Sequence, residues 1–276
     1  MFTWGRITES GASVMGVVNV TPDSFSDGGR WATAAPAIAH GRALLAAGAR
    51  VLDVGGESTR PGADPVGAQE EARRVVPVIE ALAGEATVSV DTSKATVAAA
   101  AIAAGARIVN DVSAGRHDPD MLGTVAAAGV GFIGMHMQGE PRTMQRSPRY
   151  EDVVAEVTEH LADRLAAAIA AGIDRDAVML DPGIGFGKTV EHNLALLAGL
   201  RDMVAALGVP VLVGASRKSF LGVVQGTGDD LVAREDGTTA TTVWAIEHGA
   251  AMVRVHDVAA ATRAIAILER LHAVAA

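Results

Sequence analysis

The sequence has no cysteine in 276 residues. That removes a disulfide framework, a thiolate zinc site and a thiol nucleophile, and it suits a reducing compartment. A basic excess is also missing: 23 Lys and Arg face 32 Asp and Glu, a formal net charge of −9. Such a balance argues against general binding to nucleic acid or to an anionic membrane surface. An anionic small substrate would need a local cluster of cations. The longest apolar run, residues 95–106, lies between Lys94 and Arg107 and is too short for a bilayer span of about 20 residues. The opening MFTWGRITES carries no apolar signal core. No linker, low-complexity tract or charge run marks a second domain. The expectation is a cytoplasmic protein of one domain, residues 1–276, with no nucleic-acid or membrane partner. With 49% hydrophobic and 20% charged residues, the chain can bury a sizeable core.

What is present is alternation. Short apolar runs at 14–20, 50–54, 87–91, 107–111, 130–136, 177–181, 210–214 and 251–256 read as strands. They are continuous rather than strictly alternating, which suits strands buried on both faces of a parallel sheet. Helix-like stretches separate them at 34–47, 69–82, 94–104, 118–128, 151–171, 190–207, 229–248 and 258–272, most of them ending at a glycine. Eight β–α units in about 250 residues fit a (β/α)8 TIM barrel. A doubly wound open sheet is the alternative that strand counting leaves open. The segments 21–33, 57–67, 139–149 and 216–228 are long, rich in Gly, Pro, Ser or Arg, and follow strands. In a barrel, such loops build the active face.

Nearly every strand ends on a polar residue: Asn19, Asp53, Asp91, Asn110 with Asp111, His136, Asp181, and Arg254 with His256. Arg217 and Lys218 follow strand seven at once. Helix capping and turn formation account for single Asp or Asn residues. They do not account for Arg254, His256 and Lys218. Carboxylates with an Asn suit a neutral heterocycle that offers parallel N–H donors. Arg60, Arg217, Lys218, Arg254 and His256 read as a cationic rim able to hold a phosphorylated group. The expected site is therefore bipolar.

Several motifs fail on inspection. Residues 181–189, DPGIGFGKT, place Pro182 where a Walker A loop needs glycine, and the spacing misses the dinucleotide fingerprint. This reads as a tight barrel loop. No H-E-x-x-H occurs, and Gly214-Ala215-Ser216 lacks the second glycine of a nucleophile elbow. Lys218 as a Schiff-base lysine is a weaker reading among so many charges.

The motifs that remain are MGVVNVTPDSFSDGG at 15–29, DVGGESTRPG at 53–62, SVDT at 89–92, VNDV at 109–112, LDPGIGF at 180–186, GASRKSF at 214–220 and RVHD at 254–257. In this order they resemble the dihydropteroate synthase family, the sulfonamide target, over nearly the whole chain from about Met15 to His272. The resemblance implies a TIM barrel and the condensation of 6-hydroxymethyl-7,8-dihydropterin diphosphate with 4-aminobenzoate, yielding 7,8-dihydropteroate and diphosphate. It implies Mg²⁺, held by Asn19 and bridging the diphosphate, and a homodimer. It assigns Asp91, Asn110, Asp181 and Lys218 to the pterin ring and Thr59 to substrate contact from the second loop. Arg254 and His256 would hold the leaving diphosphate, with Arg60 assisting. Phe25, Pro61 and Ser219 would frame the aminobenzoate, with Asp27 near the reacting centre. Two alternatives belong beside it. One is a pterin-dependent methyltransferase, which has no use for a diphosphate rim. The other is a non-catalytic pterin-binding paralogue, which should have lost a rim or loop residue.

Overall fold

The structure is a computed structural model that describes residues 2–9, 11–20, 34–59 and 62–275. Eight strands form one sheet: β1 (Ser13–Asn19), β2 (Val51–Gly55), β3 (Thr87–Asp91), β4 (Ile108–Asp111), β5 (Gly131–Met135), β6 (Val178–Asp181), β7 (Leu212–Val213) and β8 (Met252–Val255). Their order is β6-β5-β4-β3-β2-β1-β8-β7, and each neighbouring pair in that order is parallel. A parallel bridge between Leu180 and Val211 joins the two ends, and the Leu180 N–H donates to the Pro210 carbonyl at 3.0 Å. The sheet is therefore a closed (β/α)8 barrel and not the open doubly wound alternative. The continuous apolar runs end up buried along their length, as in β2, β4, β5 and β6, because barrel strands face side chains inside and helices outside.

The flanking helices are α2 (Ala34–Ala46), α3 (Ala68–Leu82), α4 (Ala95–Ala103), α5 (Met121–Ala128), α6 (Val153–Ala170), α7 (Val190–Ala198), α8 (Leu200–Leu207), α9 (Ser219–Gln225), α10 (Leu231–Glu247) and α11 (Val258–Ala275), after a short α1 (Gly5–Thr8). Asp152 caps α6 by accepting from the Val154 and Ala155 N–H groups. Thr189 and His192 form a reciprocal capping box at α7. Helices α5 and α8 stop at Gly129 and Gly208 in the left-handed conformation.

Two elements differ from the sequence expectation, and the packing of the first residues adds to it. The single helix expected at 190–207 is two, split at Gly199, where Val154 of α6 lies 2.9 Å from the position a Cβ would take. The loop expected at 216–228 contains α9. The first residues are packed: Trp4 is buried, its Nε1–H donates to the Ala177 carbonyl at 2.9 Å, and Phe2 meets it edge-to-face at 5.0 Å. Among the described residues, no helix is long and apolar enough to cross a membrane.

Candidate active site

A barrel gathers the C-terminal ends of its strands at one mouth. Four polar side chains arrive there from alternate strands: Asp53 from β2, Asn110 from β4, Asp181 from β6 and Arg254 from β8. Positions that a barrel usually fills with branched apolar residues thus carry polar groups, three of them ionisable. Arg254 organises them. Its Nε–H donates to Asp53 Oδ2 at 2.6 Å, and its Nη2–H donates to Asp91 Oδ2 on β3 at 2.9 Å. The Asn110 amide donates to the same Asp53 oxygen at 3.0 Å. Asp53 Oδ1 is buried and has no hydrogen-bond partner among the described residues, an acceptor that a bound donor would satisfy.

Asp181 lies beside this group. Its Oδ1 accepts the Gly183 N–H at 2.7 Å, where the chain turns with Gly183 at φ +67°. Lys218 closes the ring at the start of α9, with its Nζ 3.8 Å from the centre of the Phe186 ring. Phe186 packs on a satellite apolar cluster of Val112, Met135, Met137 and Met144. A planar ligand would therefore meet carboxylates on one side and an aromatic-thioether wall on the other.

Burial sets the protonation of these groups. It raises Asp91 to about 7, opposed by Arg254 and reinforced by Asp53 and Glu71. It raises Asp181 to about 6 against the Gly183 N–H, Lys218 and Arg254. It lowers Lys218 to about 8, together with the repulsion of Arg254 and against the pull of Asp181 and Asp91. Arg254 itself also loses solvation, but Asp53 and Asp91 outweigh that and strengthen its hold on the proton. Two carboxylates poised near neutrality are what a site needs if a bound N–H donor is to complete their ionisation.

The rim has a different arrangement from the sequence expectation. His256 follows β8, and its Nδ1 lies 2.9 Å from Ser216 Oγ, which also accepts the His256 backbone N–H at 3.2 Å. Arg217 does not join the rim: it pairs with Glu235 of α10, and its own N–H donates to Thr238 Oγ1 at 3.1 Å. Its left-handed φ of +59° is held by those contacts. Arg254 sits inside the barrel layer, not on an outer edge, and Nη1 is the nitrogen left over from its two carboxylate contacts.

Asp91, Asn110, Asp181, Lys218 and Arg254 thus lie together at the barrel mouth. Asn19 ends β1 at the same mouth and is exposed. Thr59 is half-buried in the loop after β2, and Ser219 opens α9 as an exposed residue. Phe25, Asp27, Arg60 and Pro61 lie outside the described residues. The sequence marks Asp53 only as a polar strand end, and it assigns no role to Ser216 or Phe186, which stand inside the motifs GASRKSF and LDPGIGF. Among the described residues no group of three or more His, Cys, Asp or Glu could hold a metal ion.

The second loop is rooted by a separate network. Lys94 Nζ donates to Glu57 at 2.6 Å and to buried Glu71 at 2.5 Å, and Glu57 accepts the Val66 N–H at 2.7 Å. These contacts fix where the loop leaves β2 and returns to α3.

The family model of pterin-binding enzymes matches residues 15–256. The dihydropteroate synthase of Mycobacterium leprae is 50% identical over 262 residues, 92% of either chain. The Xanthomonas albilineans dihydropteroate synthase with 4-aminobenzoic acid superposes with a TM-score of 0.89 at 47% identity, covering 96% of this chain and 94% of that one. The same enzyme in complex with 7,8-dihydropteroate gives a TM-score of 0.86 at 45% identity, covering 96% and 95%.

Proposed function

The chain belongs to the dihydropteroate synthase family of pterin-binding enzymes, and from that premise we propose how its residues divide the work. The enzyme is a transferase of folate biosynthesis. It joins 6-hydroxymethyl-7,8-dihydropterin diphosphate to 4-aminobenzoate and releases diphosphate. Neither a pterin methyltransferase nor an inert binding paralogue accounts as well for its relatives and its complete set of site residues.

The observation that carries the assignment is the cluster of Asp181, Asp91, Asn110 and Arg254 in one barrel mouth. Asp181 accepts parallel N–H groups of the pterin edge, since a carboxylate offers two acceptors side by side. Asn110, fixed by Asp53, complements the amide portion of the ring. Lys218 and Phe186 press on the ring face, and Thr59 contacts substrate from the second loop. The aminobenzoate amine is neutral and needs no strong base, so the barrier lies in C–O cleavage. Arg254 and His256 stabilise the negative charge that gathers on the departing diphosphate. Ser216 holds the imidazole for that task. Ser219, with Phe25 and Pro61, would frame the aminobenzoate, and Asp27 and Arg60 would serve from their loops.

Mg²⁺ fits the donor set in one form only. Asn19 offers a single amide oxygen at the mouth, and no multidentate cluster exists among the described residues. Mg²⁺ characteristically keeps several waters and binds through one or two protein oxygens plus substrate phosphates. We therefore place it on the diphosphate with Asn19 as its protein contact. When bound it would neutralise diphosphate charge. We also propose a cytoplasmic homodimer. Val223 and Val224 of α9, Trp244 of α10 and Ile267 and Leu271 of α11 are exposed on helices that pack in sequence, α9 on α10 on α11.

Diphosphate release by the purified protein, with the dihydropterin diphosphate and Mg²⁺, tests the assignment. Release should depend on 4-aminobenzoate and yield dihydropteroate. Pterin binding without amine-dependent release would leave only the binding paralogue.

A further inference from the structure

One buried cation near the site has no part in the chemistry above. Lys188 follows the glycine-rich turn after β6 and is 3% exposed. Its Nζ donates to the Phe186 carbonyl at 3.1 Å and lies 2.9 Å from His136 Nδ1, just past the end of β5. A charged ammonium has donors only, so Nδ1 must accept, and the His136 proton sits on Nε2. The ring is wedged in place, 4.8 Å edge-to-face from His160 of α6 and 6.1 Å from Tyr150. Tyr150 in turn donates its hydroxyl to the Gly187 carbonyl at 2.8 Å.

The turn that Lys188 closes lies flush against the chain leaving β5. A Cβ on Gly183 would fall 1.9 Å from the His136 carbonyl oxygen, and one on Gly187 would fall 2.5 Å from that of Gln138. The same turn presents Asp181 and Phe186 to the barrel mouth. Lys188 therefore clamps the back of the segment whose front faces the ligand.

Resting on the reading of this site as a dihydropterin site, we propose that Lys188, seated on His136, is a positioning residue for dihydropterin, fixing the distance between the Asp181 carboxylate and the Phe186 ring. It does not touch substrate. Its charge has a second effect on Asp181, which also faces Lys218 and Arg254. Burial lowers Lys188 to about 7, with Asp181 opposing the shift and Lys218 reinforcing it. While protonated, it favours the ionised carboxylate.

The test compares Lys188→Met, Lys188→Gln and His136→Asn in the full chain, with dihydropterin titrated by calorimetry and both substrates followed kinetically. Lys188→Met should weaken pterin binding and raise the pterin diphosphate KM by about tenfold or more, while the aminobenzoate KM stays within about twofold. Lys188→Gln keeps a donor and should recover most of the pterin affinity at pH 8. Both Lys188 variants lack the cation, so pterin binding should fade at a higher pH on acidification than in the parent protein. His136→Asn keeps an acceptor at the Nδ1 position and should retain more pterin affinity than Lys188→Met. Imidazole ¹⁵N shifts of the unaltered protein should show the His136 proton on Nε2. Unchanged pterin affinity in Lys188→Met overturns the inference, as does equal loss for both substrates or a proton on Nδ1 of His136. If Lys188→Met does not fold, the Lys188→Gln pH profile and the ¹⁵N shifts decide. Failure of the parent protein itself to bind pterin would instead overturn the underlying reading.

Discussion

Arg254 shows how one residue can serve stability and chemistry together. It sits between Asp53 and Asp91, both largely removed from water. Removing the guanidinium in Arg254→Ala leaves two neighbouring carboxylates without a counter-charge, a loss of about 3 kcal/mol for a pair that is partly accessible. Turnover should fall by about 10² to 10³, the usual cost of one donor to a developing anion. Adding Asp53→Asn should return much of the melting temperature and none of the turnover; recovery of both would show that Arg254 acts only as scaffolding. Asp181→Asn separates the same two effects differently. An amide cannot accept both pterin N–H groups, so dihydropterin affinity should drop about tenfold or more. The melting temperature should hold or rise, because the charge was being buried at a cost. Unchanged affinity in titration calorimetry would remove Asp181 from the pterin edge. The sequence made Asp181 and Arg254 legible as polar residues on strand ends. It marks Asp53 as one more polar strand end but not as the partner of Arg254, because that contact spans 201 positions and exists only once the barrel closes.

At the scale of elements, the strands were the most legible part of the chain. Nearly every one is a short apolar run with a polar residue at its end, and its ends in the structure lie within two residues of those runs. What escaped was local packing. Nothing in the run from Val190 to Leu207 signals a break except Gly199, and the break follows from the approach of Val154 on another helix. Its glycines mark the turn after β6 as tight, but the surface it lies against is the chain leaving β5, at His136 and Gln138. That makes Gly183 a sharp test. Gly183→Ala must place a methyl at φ +67° and 1.9 Å from a carbonyl oxygen. The left-handed conformation alone costs about 1–2 kcal/mol, and the clash adds to it. Gly228, at φ +58° with nothing within 4 Å of its Cβ position, isolates the conformational part. Thermal melts should show Gly228→Ala losing a few degrees and Gly183→Ala clearly more, with pterin affinity reduced only in the latter. Equal losses would mean that the contact with β5 does not constrain the turn.

For the molecule as a whole, a net charge of −9 conceals buried groups that oppose each other in acid. Burial raises Asp91 to about 7 and Asp181 to about 6, so on acidification the folded barrel binds protons before the unfolded chain does. That stabilises the free protein as pH falls from about 7 toward 4, where unfolded carboxylates also titrate. Burial holds His136 at about 2 and His160 at about 4, in both cases with neighbouring cations adding to it. Below about 6.5 the unfolded chain therefore binds protons that the fold refuses, and acid destabilises. The free enzyme should accordingly be nearly flat in stability between pH 7 and 5. Bound dihydropterin changes this balance, because its N–H donors hold the carboxylates ionised and leave only the histidine side. The rise in melting temperature on adding dihydropterin should then be larger at pH 7.5 than at pH 5.5. The binding free energy behind that rise weakens on acidification by up to about 1.4 kcal/mol per pH unit for each carboxylate that must give up a proton. Calorimetry at pH 6.5 in buffers of different ionisation enthalpy should report that proton release, and Asp181→Asn should make the pH slope shallower. A ligand-induced shift independent of pH, with no proton released, would mean that the pterin is held by groups other than these carboxylates.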